Sequence, residues 1–145
     1  MAISSVNISV AGGGPDFIVP SGFFAYRTLE LAERVDAGER RFLIRFGIIG
    51  RVTSVFLDED SWEVLSGLYS GDVVLVNASM SKFMDCISGL ADMVPFYSAD
   101  SDSGEWEAAA QRVQEFICEV DPSAYYEGGF WYDFRWDVSM GDFHE

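Results

Sequence analysis

The chain has few of the residues that catalytic and metal centres most often use. Among its 145 residues there are one histidine and two cysteines. The histidine, His144, is the penultimate residue, where fraying is expected, so no Ser-His-Asp or Cys-His constellation can be placed on a rigid element. Cys86 and Cys118 are far apart, with no second thiol at Cys-x-x-Cys spacing, which argues against a disulfide framework and against a zinc site. No apolar run reaches transmembrane length, and Met-Ala-Ile-Ser-Ser at the N-terminus has no basic region ahead of a long apolar core. The expectation is a soluble cytoplasmic protein with reduced thiols, no cofactor, no metal and no catalytic residues.

Positive charge is scarce in one part of the chain. Residues 1–51 hold six Arg against five acidic residues, whereas residues 52–145 hold three basic against nineteen acidic residues, giving the net charge of −15. A surface this acidic repels nucleic acid and anionic lipid and speeds encounter with a positively charged partner. The partner it points to is another protein with a basic surface, with no direct nucleic-acid contact and no membrane. Acidity does not mean disorder here, because hydrophobic residues make up 49% and aromatics 15%, where disordered acidic chains are poor in both. The length suits one domain.

Ile3, Val6, Ile8 and Val10 suggest a short strand before the break at Gly12-Gly13-Gly14-Pro15. A dinucleotide loop would need glycine at position 17, where Phe17 stands, so a plain loop is the better reading. Phe17 to Gly22 reads as an extended entry and Phe23 to Tyr26 as a strand. Leu29 to Val35 fits either a short helix or extended chain, followed by a turn at Asp36 to Glu39. Phe42 to Phe46, Val52 to Leu57, Trp62 to Leu65 and Val73 to Val76 are short strands, and connections this short imply an antiparallel meander. The period then changes to 3.6. Met80, Phe83, Met84, Ile87, Leu90, Ala91 and Val94 form one helical stripe, capped by Ser79 or Asn77. Trp106, Ala109, Ala110, Val113, Phe116, Ile117 and Val120 form another, entered through Asp102 with Glu105 and stopped by Asp121-Pro122. Its opposite face holds Glu107, Gln111, Glu115 and Glu119. The aromatic tail from Tyr125 should dock on the core, with a last short helix or turn around Trp131 to Val138.

The stretch Val76-Asn77-Ala78-Ser79-Met80 leading to Phe83 resembles the signature that follows the last strand in SUKH superfamily immunity proteins, specifically their fourth bacterial subgroup. Val19-Pro20 to Phe24 resembles that family's entry. Arg51 to Val64, with its acidic turn at Asp58, resembles its hairpin. Val120-Asp121-Pro122, Trp131, Trp136-Asp137-Val138 and Gly141-Asp142 resemble its closing helix and tail. Ser61-Trp62 departs from the Thr-Gly that members often carry in the hairpin turn. The resemblance runs from about residue 17 to the C-terminus and implies a domain at 17–145, with 1–16 as an N-terminal extension or edge strand. It implies an α+β single domain, an antiparallel-rich SUKH-like sheet covered by helices. It also implies an immunity protein that neutralises a cognate bacterial polymorphic toxin, often a nuclease or nucleic-acid deaminase, encoded beside it. The charge agrees, because carboxylates can stand where phosphates would sit in a basic cleft.

Rival readings are weaker. Chance pairs among the many carboxylates could suggest an acid/base enzyme. Asp100-Ser101-Asp102-Ser103-Gly104 begins like a calcium loop but has Glu105 where glycine is needed and Gln111 where the last carboxylate should be, so a linker with a helix cap is expected. Both cysteines should be semi-buried. Arg40, Arg41, Arg45 and Arg51 should balance acidic residues within the fold rather than form an anion site. Phe130, Trp131, Phe134 and Trp136 should complete the core. The partner-binding candidates are Asp100, Asp102, Glu105, Glu107, Glu115 and Glu119, with Tyr125 and Tyr126 as anchors. The expected partner is a cognate toxin domain with a basic surface, bound by a monomer in a one-to-one complex. The alternative is a non-catalytic regulatory or scaffold protein of the same fold acting on a housekeeping partner.

Overall fold

The computed structural model describes residues 3–6, 17–18, 25–50 and 52–141. Seven strands form one sheet: β1 (Ile3–Val6), β2 (Phe17–Ile18), β3 (Ala25–Gly38), β4 (Arg41–Ile49), β5 (Thr53–Asp58), β6 (Val64–Gly67) and β7 (Val73–Asn77). The order is β1-β3-β4-β5-β6-β7, with β2 also on β3, and every pair is antiparallel. Three helices follow, α1 (Met80–Asp92), α2 (Ser103–Val120) and α3 (Phe130–Ser139), making a single-domain α+β fold. The meander and the first two helices lie where the periodicity puts them, and the stretch expected to be a short helix or turn is the helix α3. The Gly12 to Pro15 loop, Val19 to Phe24, Arg51 and the residues after Gly141 lie outside the described residues.

The ambiguous stretch Leu29 to Val35 is the middle of a 14-residue strand. Its alternation is hidden by an irregularity: between the pairs Thr28↔Gly47 and Glu33↔Arg45, β3 advances five residues while β4 advances two. Pairing with β4 on one side and with β1 and β2 on the other overrides any helical preference of Leu-Glu-Leu-Ala-Glu-Arg. The turn that ends β3 falls at Glu39-Arg40, both with left-handed φ of 53° and 63°. In the β5–β6 turn Trp62 also takes φ 63°, a conformation glycine adopts more cheaply.

The pleat sends alternate residues of β5 to opposite faces. Val55 and Leu57 join the main core with α1, α2 and α3, whereas Phe56 joins a smaller cluster with Val35, Leu43 and Leu65. Phe83 is the centre of the main core, with its ring 5.2 Å from Tyr26 and 5.9 Å from Phe46, both edge-on. Phe83, Ile87 and Leu90 of α1 are fully buried, each worth about 1.5–3 kcal/mol. Gly89 lets α2 approach α1 closely, since a Cβ there would overlap the Phe116 ring.

Ser79 caps α1, its Oγ accepting from Lys82 N at 3.2 Å. Asn77, the other candidate cap, is fully buried and does something else. Its Nδ2 donates to Asp121 Oδ2 at 3.1 Å and to Cys86 Sγ at 3.5 Å, and its Oδ1 accepts from Trp131 Nε1 at 3.0 Å. Asp121 also accepts from Ala78 N at 2.8 Å and from Ser123 Oγ at 2.7 Å. Burial pushes the Asp121 pKa up, but these donors, with Lys82 3.9 Å away, outweigh burial and hold it below the ordinary carboxylate value.

Asn77→Ala removes the bonds that the Trp131 N–H and Asp121 Oδ2 make to the carboxamide in a buried site. It should cost about 2–4 kcal/mol in urea unfolding, whereas an Asn77→Ala midpoint equal to wild type would deny the network its role. Asp121 is the depressed-pKa case. Its contribution is complete above the unfolded value near pH 4 and is lost as pH falls through the lower folded value. Stability measured from pH 6 down to pH 2 should therefore drop below about pH 4, with a shallower drop in Asp121→Asn.

Candidate protein-binding interface

Asp102 starts α2, its Oδ1 accepting from Glu105 N at 3.0 Å with extended backbone at the cap. Ser101, in the turn before it, accepts from Trp106 Nε1 at 2.7 Å. The Asp100 to Gly104 segment is thus a helix cap. Ala109, Ala110, Val113 and Ile117 are buried, and Glu105, Glu107, Gln111, Glu115 and Glu119 point to solvent. The acidic row is where periodicity predicts it, with Asp100 also exposed.

That row is not arranged for the benefit of the helix. Only Glu105 lies in the first turn, where the macrodipole favours negative charge. Glu115 and Glu119 stand near the C-terminal end, where it disfavours them, and at i, i+4 spacing they repel by about 0.2–0.5 kcal/mol. No basic residue occupies the last turn. Among the described residues, Asp100, Glu105, Glu115 and Glu119 have no ion-pair partner.

Glu107 differs from the rest of the row. It forms a two-pronged pair with Arg135 of α3, at 2.7 Å from Nη2 and 3.0 Å from Nη1. Those bonds hold its carboxyl below the usual range. Arg135 is itself buried, and it also donates to Gln114 at 3.0 Å and Gln111 at 3.3 Å. Gln114 Oε1 accepts in addition from Tyr125 Oη at 3.2 Å. The seam between α2 and α3 is therefore a polar network with Arg135 at its centre. Periodicity alone did not reveal it, because an arginine in a short helix reads as a surface residue until its partners are known.

The two tyrosines are tied into the fold. Tyr126 Oη donates to Leu75 O at 2.7 Å, and its ring packs where Gly129 leaves room. Tyr125 is half-buried, its ring 5.6 Å from Tyr132. Burial raises the pKa of both. Of the four aromatics expected in the core, Trp131 and Phe134 are buried and Phe130 packs partly against them. Trp136 is corrected: it is 45% exposed, on the outer side of α3.

The remaining sequence candidates fall into place. Arg41 pairs with Asp58 at 3.1 Å, and Arg45 pairs with Glu33 at 3.5 Å and donates to Ser54 at 2.8 Å, while Arg40 is exposed. An open recess between residues 37–41 and 58–63 holds Asp58, Asp60 and Glu63. Burial raises the Asp58 pKa, but the N–H groups of Asp60 and Ser61 with Arg41 bring it below normal, which is the wrong direction for a general acid. Among the described residues no group of three His, Cys, Asp or Glu side chains gathers to hold a metal, and no helix is long and apolar enough to cross a membrane.

A family model described as SUKH-4 immunity protein matches residues 20–137. The chain belongs to that family. No curated protein and no solved structure matches it.

The two thiols separate chemically. Cys118 is half-buried, but Cys86 is fully buried, deeper than the stripe margin suggested, and burial pushes its pKa up to about 12. A thiol reagent at pH 8 should modify at most Cys118 in the folded protein and both after denaturation. Rapid native labelling of Cys86 would contradict this packing.

Proposed function

We propose that this protein neutralises a cognate toxin domain that processes nucleic acid, a nuclease or a deaminase, by covering its basic substrate cleft. The acidic row on α2, with Asp100 and Asp102 ahead of it, is the face that meets the toxin. The observation that carries this reading is that Asp100, Glu105, Glu115 and Glu119 are exposed without an ion-pair partner among the described residues, and that Glu115 and Glu119 stand where the helix dipole disfavours them. A cleft that binds phosphates must be positively charged, and such a row on a rigid element matches it in sign. Steered association is fast, which suits an inhibitor that must reach its target before substrate does. The protein acts in the cytoplasm of the producing cell, one-to-one, without catalysis of its own.

The substitutions that test this avoid the cap Asp102 and the paired Glu107. The C-terminal domain encoded by the adjacent gene is co-expressed with the wild-type chain and with the triple variant Glu105→Lys, Glu115→Lys, Glu119→Lys. Wild type should restore growth and co-purify with the toxin. The triple variant should associate about tenfold or more slowly at low salt, with a flatter salt dependence. Wild-type kinetics in the triple variant would move the face elsewhere. Absence of rescue and of binding by wild type would favour a regulatory protein acting on a different partner.

A further inference from the structure

Helix α3 has apolar residues on two sides. Trp131, Phe134 and Val138 are buried in the core, whereas Tyr132, Trp136 and Met140 follow at i, i+4 and i+8 on the outer side, with Met140 69% exposed. A helix packed on one side needs one apolar stripe, so a second one facing water is unexplained by the fold. The rings are contiguous: Tyr125 lies 5.6 Å from Tyr132, which lies 6.1 Å from Trp136.

The row is held in place from beneath. The Arg135 guanidinium carbon sits 4.5 Å from the Trp136 ring centroid, and Arg135 is fixed by Glu107, Gln111 and Gln114, the last of which also accepts from the Tyr125 hydroxyl. An aromatic surface ordered in advance loses little entropy when it is covered.

Charge decides what covers it. Residues 98–141 hold ten acidic residues against two arginines, and of the arginines Arg135 is neutralised by Glu107. Exposed Asp133 and Asp137 flank the row on α3 itself. A second copy of this chain would bring the same acidic rim and be repelled, and so would an anionic membrane. A basic protein fits, with a lysine or arginine side chain attracted both by the carboxylates and by the exposed part of the Trp136 ring.

We infer that Tyr125, Tyr132, Trp136 and Met140 form the anchor that retains the bound toxin, receiving a cationic side chain of its basic surface. This rests on the immunity reading and adds to it a division of labour. The α2 row sets the rate of encounter, and the α3 row sets the lifetime of the complex.

The experiment is surface-based binding kinetics of a catalytically dead form of the toxin domain from the adjacent gene, with thermal melts of each variant. Trp136→Ala should dissociate at least about tenfold faster, with association within about twofold of wild type. Trp136→Phe should recover most of the lifetime. Because Trp136 is half-exposed, the melting midpoint of Trp136→Ala should stay within about 4 °C of wild type. Met140→Ser, at a more exposed site, repeats the test independently of folding and should also dissociate faster, by about two- to fivefold. Wild-type dissociation rates in both Trp136→Ala and Met140→Ser would overturn the anchor and leave the immunity reading standing. No binding by the wild-type chain would overturn both.

Discussion

The arrangement of the second half of the chain depends on one buried carboxamide. Asn77 ends β7, and its side chain reaches the end of α2 through Asp121, α3 through the Trp131 indole, and α1 through Cys86. A carboxamide is suited to this, because it donates and accepts from the same planar group. A carboxylate would face Asp121 with like charge, and an aliphatic residue would forfeit the bonds to the indole N–H and to Asp121. Hydrophobic burial makes the helices cover the sheet, but burial is non-directional. The Asn77 and Asp121 network supplies direction. Asp121 also accepts from Ala78 N, so the residue that closes α2 fixes the turn that opens α1.

This registration extends to the surface. With the end of α2 and the start of α3 fixed to the same point, Arg135 comes beside Glu107, Gln111 and Gln114. A buried guanidinium is costly unless each of its donors is used, and here they meet a carboxylate and two amides. The seam therefore reports on the core: α3 rotated by one residue would bury an unpaired charge. Its outward aromatic row is presented in one orientation for the same reason.

Local periodicity made the two long helices and the strands from Phe42 to Val76 legible, because each buries one face and repeats its pattern over several residues. The acidic side of α2 was legible for the same reason, being the complement of the stripe Ala109, Ala110, Val113 and Ile117. Long-range features were not. The 14-residue strand β3 carries an irregular register that blurs period two, and its identity comes from neighbours on both sides. Asn77 was legible as part of a signature but not as a hub, since its partners lie 9, 44 and 54 residues away. Trp136 was misassigned to the core because α3 has only ten residues, apolar on two sides, and such a pattern does not say which side faces inward.

In the binding mode proposed for this chain, charge and shape perform different parts of recognition and lie on separate helices. Interactions between exposed charges fade over about 8–10 Å in physiological salt, so in that mode the α2 row would draw a basic partner in but discriminate weakly among basic partners. Discrimination needs contacts that lose energy when displaced by an ångström, and apolar and aromatic packing has that property. A protein whose partner surface must track one particular toxin therefore gains from holding the acidic row broadly attractive while changing the side chains at the ends of a rigid aromatic row. Arg135 and its partners make such change cheap: they belong to the fold, and the outer residues of α3 can vary above them without disturbing the Asn77 hub.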